Sequence, residues 1–178
     1  MRSVSAGFIV LFYLISGVSG QVVRSGCEFD YPPFCFADDS GEADGFSVEL
    51  FTEAVDAMGR DVSFAMGTWN EVRGWLESGT VDALPLVGRT PEREDIFDFT
   101  FPYMTLHGAV VVRADCDSIF SAEDLSGLTV GVMEGDNAEE YLRRSGLDIE
   151  VVTEPTFVEA TGLSEKQFPG EWVLTIPI

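Results

Sequence analysis

The chain has 178 residues, of which 46% are hydrophobic and 12% aromatic, enough apolar material for one ordinary domain or two small lobes and too much for wholesale disorder. Asp and Glu number 31 against 10 Lys and Arg, a net charge of −21, and Lys166 is the single lysine. Such a charge repels phosphate backbones and excludes nucleic acid as a partner; the excess carboxylates read as a solvated acidic surface, or as an adaptation to high salt.

Residues 1–20, "MRSVSAGFIVLFYLISGVSG", combine Arg2, an apolar run from Phe8 to Ile15 and a small-residue end at Val18-Ser19-Gly20. That is the pattern of a secretory leader cut near Gly20, with a retained N-terminal anchor as the alternative; the run is short for a membrane span, which takes about 20 apolar residues. Export would place the cysteines in an oxidising space. Cys27, Cys35 and Cys116 are odd in number, so one at least stays unpaired within the chain, while Cys27 and Cys35 flank "CEFDYPPFCF" closely enough for a clip to be considered.

After the leader, "QVVRSGCEF" is β-rich, and "YPPF" interrupts it because proline fixes φ and removes a ladder N–H. "ADDSGEADG" is an acidic turn-rich loop. From Phe46 the pattern becomes helical: Val48, Leu50, Phe51, Ala54, Val55 and Met58 recur at mostly three- and four-residue spacings, and Gly59 stops them. "DVSFAM" alternates as a strand. "NEVRGWLESG" places Val72, Trp75 and Leu76 on one helical face, and "TVDALPLVG" reads as a buried strand. In "RTPERE", Thr90 can cap a short helix with Pro91 at its first position. "GAVVVRA" is an apolar strand, and the following segment repeats the grammar. It gives a helical turn, a strand from Leu128 to Met133, a helix from about Asn137 to Arg144 and a strand from Ile149 to Val152. Alternating strands and helices predict an α/β fold with parallel sheets, in two units joined near Arg113 to Asp117. No metal-ligand spacing, Gly-rich phosphate loop or Ser/His/Asp set appears, so neither a metal nor another cofactor is expected.

Taken in order, "DYPPFCF", "GFSVELFTEAVDAMG", "LESGTVDAL", "RTPERE", "FDFTFPY", "GAVVVR" and "DLSGLTVGVMEGDNAEEYL" resemble the family 3 extracellular solute-binding proteins, the polar amino-acid receptors of uptake systems, over about Val22 to Val152. The resemblance implies a type II periplasmic-binding-protein-like clamp whose two lobes close on a small ligand. Lobe 1 would span 21–113 and a partial lobe 2 would span 114–178, with a divergent tail from about 161.

It also implies a site. Tyr31 and Trp69 match aromatics that lie against the ligand from opposite sides of the cleft, although each could serve as core or, for Trp69, as a staple at a helix start. Arg93 matches the arginine that grips the ligand's carboxylate through parallel hydrogen bonds; the alternative is an ion pair with the adjacent Glu94 or Asp95. Glu28 falls where relatives that take basic ligands place a carboxylate, and is otherwise simply solvated. Gly135, Asp136 and Asn137 stand at a helix start whose N–H groups could hold the same carboxylate, a role compatible with ordinary capping by Asp136 or Asn137.

Two departures from the family pattern stand out. Gly88 in "LPLVGR" occupies the site of a Ser or Thr, removing a hydroxyl. The chain also runs into "TGLSEKQFPGEWVLTIPI" where relatives continue lobe 2 and return to lobe 1. An incomplete second lobe with exposed sheet edge is expected, with weak closure unless another chain completes it as an oligomer. The functions implied are delivery of a small carboxylated solute to a membrane permease, or the input domain of a membrane sensor kinase. A dehydratase acting on cyclic carboxylic acids is the third reading; it would need an acid/base, and the one histidine, His107, reads as structural.

Overall fold

The structure, a computed structural model, describes residues 22–112, 116–160 and 172–177. The leader expected over 1–20 and most of the tail expected to diverge from about 161 lie outside these residues, as does Lys166.

The first unit is built on β1 (Val23–Glu28) and β5 (Val62–Gly67), which pair in parallel from Val23 opposite Val62 to Glu28 opposite Gly67. Between them, β2 (Asp30–Tyr31), β3 (Cys35–Ala37) and β4 (Ala43–Asp44) form a small antiparallel sheet that carries the "YPPF" corner. Helix α1 (Phe46–Ala57) follows and stops before Gly59, as the spacing predicts. Its buried face is narrower than the sequence pattern: Val48 and Val55 are buried and Phe51 half-buried, whereas Leu50, Ala54 and Met58 face outward. Helix α2 (Trp69–Glu77) begins behind a capping box in which Thr68 Oγ1 accepts from Glu71 N–H and Glu71 Oε2 accepts from Thr68 N–H, satisfying two donors that a helix start leaves orphaned.

The strand expected over "TVDALPLVG" does not form. Ala83 makes a single parallel bridge to Ser25, with Gly26 N–H donating to Ala83 O at 3.0 Å, and Pro85, which has no N–H, ends the ladder there. The segment instead leads to α3 (Pro91–Glu94), where Thr90 Oγ1 accepts from Arg93 N–H and Pro91 opens the turn as expected.

The second unit contains β6 (Gly108–Val112), a 3-10 turn (Ala122–Leu125), β7 (Thr129–Met133), α4 (Asn137–Ser145), β8 (Glu150–Glu154) and β9 (Trp172–Pro177). Its sheet order is β6-β9-β7-β8, with β7 parallel to both neighbours and β6 antiparallel to β9. Already at Gly108 to Val112 the chain is part of the second sheet, and β9 stands there between β6 and β7, with Val173 opposite both Val112 and Val130.

Apolar residues gather in three places. Leu125, Val130, Val132 and Leu142 form the core of the second unit, under 4% exposed throughout. Cys27, Cys35 and Val48 lie under α1 in the first. The third group joins the units, because Trp69 and Val72 of α2 pack with Met133 of β7. In place of the clip considered between Cys27 and Cys35, both are free thiols in one core cluster, and Cys27 Sγ donates to Glu28 O.

Candidate functional site

Each parallel pair delivers its C-terminal ends to the same place, the usual position of a small-ligand site in α/β folds. Glu28 closes β1, Trp69 follows β5, and Gly135 to Asn137 follow β7.

Arg93 is the centre of this region. The cap at Thr90 fixes the turn of α3, so the Arg93 side chain points inward and is 2% exposed. A buried guanidinium is costly unless its donors are all used. Here Nε donates to Glu140 Oε1 at 3.0 Å, Nη1 to Gly88 O at 3.2 Å and Nη2 to Gly135 O at 3.0 Å, while the cation lies 4.7 Å from the centre of the Trp69 ring. The neighbouring acids do not compete: Glu94 pairs with Arg89, and the carboxylate that meets Arg93 comes from α4, 47 residues away. Glu140 Oε2 accepts from Thr90 Oγ1 at 3.0 Å, and Arg73 Nη1 stands 3.8 Å from Oε1.

Trp69 is 4% exposed and donates from Nε1 to Gly135 O at 2.6 Å, so one carbonyl of the second unit serves both Trp69 and Arg93. The backbone must come very close for this. Gly135 adopts φ 72°, a left-handed conformation that favours glycine, and a Cβ there would lie 2.4 Å from Asn70 Oδ1, so the Asn70 side chain would have to shift. Gly88 has a comparable role. Its Cα abuts the amide of Asn137, where a Cβ would fall 1.8 Å from Nδ2; the hydroxyl missing at position 88 is thus replaced in space by a side chain from the other unit. Asn137 Oδ1 is buried there without a hydrogen-bond partner.

The start of α4 is capped by the chain itself. Asp136 accepts from the N–H groups of Asn137 and Ala138, and Gly135 N–H donates to Glu139 Oε2 at 2.6 Å. Burial pushes the Asp136 carboxyl up, and those N–H donors work against the push. Glu28 is raised to about 7, first by burial, then by Asp136, with Arg93 opposing. Tyr31 does not face an open cleft. Its ring stacks on Phe157 at 5.4 Å between centroids and 26° between planes, touches Phe34 at 5.6 Å, and its hydroxyl is pushed upward by burial. The cavity left among Glu28, Thr68, Trp69, Met133 and Thr156 measures 10 Å³, room for one water.

The structure therefore brings Glu28, Trp69, Gly88, Arg93, Gly135, Asp136 and Asn137 to one seam between the units, with Tyr31 beside it against Phe157. Sequence reasoning missed Glu139, Glu140 and Phe157, and took Thr90 for a cap only. An acidic pair in the first turn of α4 was the visible signal, but an acid at a helix start is also what the helix dipole favours. Its partner Arg93 is far away in sequence.

Known proteins resemble this chain in sequence and in fold. The family model of bacterial extracellular solute-binding proteins, family 3, matches residues 23–143. The L-cystine-binding protein TcyJ of Escherichia coli (strain K12) is 35% identical over 156 residues, 83% of this chain and 58% of its own length. The L-cystine-binding protein TcyA of Bacillus subtilis (strain 168) is 32% identical over 133 residues, 74% of this chain and 49% of its own. The chain thus spans about half the length of these relatives. Among solved structures, a histidine kinase sensor domain with similarity to periplasmic binding proteins superposes with TM-score 0.81 at 30% identity, over 89% of this chain and 69% of that one. An ancestral arginine-binding protein bound to arginine gives 0.76 at 30%, over 86% and 70%. With a two-unit α/β clamp, a buried arginine at its seam and a family match over residues 23–143, the chain belongs to the bacterial extracellular solute-binding proteins, family 3.

Proposed function

We propose that this chain binds a small polar solute carrying a carboxylate, such as an amino acid, between its two units, and works outside the cytoplasm with an ABC-type membrane permease. The observation that carries this reading is the buried Arg93, stacked on Trp69 and aimed at the other unit, because a guanidinium so placed is a carboxylate anchor with its charge already desolvated. Gly135 and Gly88 would hold the guanidinium by their carbonyls, Tyr31 and Trp69 would supply apolar walls, and Glu28 would meet a positive group of the ligand.

The names of the relatives support solute binding: two are cystine-binding proteins, and a Haemophilus influenzae relative is a probable amino-acid ABC transporter-binding protein. The likeness to a histidine kinase sensor domain favours a second reading, the same clamp as a sensor input. An ancestral amino-acid-binding precursor of cyclohexadienyl dehydratase also shares the fold, with TM-score 0.75, but His107 is exposed on the segment before β6 and does not line the cavity, so binding is preferred to catalysis. Titration of a panel of amino acids, followed by calorimetry and thermal unfolding, tests the proposal. One ligand should raise the melting temperature and lose that effect in Arg93→Ala. If none binds, or if Arg93→Ala retains full affinity, the reading is wrong.

A further inference from the structure

The carboxylate that Arg93 was expected to grip is present, and it belongs to the chain. Glu140 offers one oxygen to Arg93 Nε and the other to Thr90 Oγ1, each at 3.0 Å, so both oxygens of a single carboxylate are read by two donors of the "RTPER" element. Arg93 is 2% exposed, its two remaining nitrogens are held by carbonyls, and an aromatic face lies beneath it. A second contact across the seam stacks Tyr31 on Phe157 at 5.4 Å between centroids. The cavity among Glu28, Trp69 and Met133 has the volume of one water, too little for an amino acid.

We infer that Glu140 is a built-in stand-in for the ligand's carboxylate, and that the described arrangement is a self-liganded closed state. Solute enters by displacing Glu140 from Arg93 and Thr90, and α4 swings away or shifts as that happens. This rests on the proposed reading of Arg93 as a carboxylate anchor. The physics is that of an intramolecular competitor: a tethered carboxylate acts at a high effective concentration, and external affinity is reduced by the fraction of molecules in which the tether is bound. Removing the competitor should strengthen binding of a carboxylated solute about tenfold, within the usual range of coupling between sites.

Acetate is the probe, because it supplies a carboxylate and little else. Thermal unfolding of the full chain is followed with acetate against chloride at equal ionic strength, in the parent, Glu140→Ala and Arg93→Ala/Glu140→Ala. Glu140→Ala should melt lower in chloride and recover by about 2–4 °C in acetate. The parent and the double variant should not respond. A Glu140→Ala protein that responds no more than the parent overturns the inference, as does a double variant that responds equally. Should Glu140→Ala fail to fold, Glu140→Gln keeps the side-chain shape without the charge and must also gain more from acetate than the parent does; an equal response overturns the inference.

The amino-acid panel separates this result from the functional reading. A solute that binds the parent and Glu140→Ala equally well leaves the function standing and removes the stand-in. An acetate response in Glu140→Ala, with no amino acid binding either protein, leaves the stand-in standing and removes the function.

Discussion

The second unit closes a core of its own, whereas part of the first unit's core is completed across the seam. Leu125, Val130, Val132 and Leu142 close one core inside the second unit, but Trp69 and Val72 of the first are completed by Met133, which belongs to β7. The first unit has a two-stranded parallel sheet to work with, and the second a four-stranded one. A narrow sheet cannot cover a helix on each face, so the first unit depends on the contact between units in a way the second does not. Breaking the second unit's core should therefore be the larger injury. Leu125→Ala, at 1% exposure, is expected to cost about 3–5 kcal/mol through lost burial and an unfilled cavity. The midpoint of urea unfolding checks this; a loss below ~1 kcal/mol would mean that the second core is no better packed than the first.

The seam should come next. Arg93→Ala leaves Glu140 partly buried with Arg73, 3.8 Å away, as its remaining cation, at a cost of about 2–3 kcal/mol, less than for a fully enclosed pair because the Glu140 side chain is 17% exposed. If the dependence of the first unit is real, hydrogen exchange should rise in α2 and β5 more than in β7. Glu28 gives a pH-dependent version of the same test. Its carboxyl titrates at about 7 in the fold against an ordinary value of 4.5, so the folded state holds a proton that the unfolded state has released. Stability from this group is full below pH 4.5, falls as pH rises through the window from 4.5 to 7, and is level above it. Glu28→Gln should remove that slope and exceed the parent by roughly 2 kcal/mol at pH 8. Denaturant midpoints that stay parallel from pH 4 to 8 would contradict the burial assigned to Glu28. Trp69→Phe is milder, about 1 kcal/mol, because it loses the hydrogen bond to Gly135 O while that carbonyl keeps Arg93.

Local chemistry was legible in the sequence, and long-range pairing was not. The cap at Thr90, the end of α1 before Gly59 and the strands β5 and β7 follow from residue spacing and side-chain type. The seam residues Trp69, Arg93 and Gly135 to Asn137 were found because they sit in recognisable strings. By contrast, β9 pairs with β6 and β7, and a strand's partners are set by a sheet that the strand itself does not encode. Glu140 was invisible for the same reason: its pattern is that of any acid in a first helical turn, and only the fold sets it against Arg93. Asn137 shows the same limit from the other side, since Gly88 reads as a lost hydroxyl until the amide that fills its place is seen.

The outer face of α1 sets the lower end of this comparison. Periodicity assigned Leu50, Ala54 and Met58 to the buried stripe together with Val48 and Val55, yet Leu50 is 40% and Met58 64% exposed. The reason is again the width of the first sheet: Val48, Phe51 and Val55 already cover what β3 and β5 present, and the rest of the stripe has no surface within the described residues to meet. Met58→Ser should then change stability by less than about 0.5 kcal/mol, the ordinary range for a surface position, while Val55→Ala, at 2% exposure, should cost about 1–2 kcal/mol. Equal losses for the two, measured by urea unfolding at a protein concentration low enough to exclude self-association, would show that the stripe is covered in solution and that the first unit leans on more than the seam.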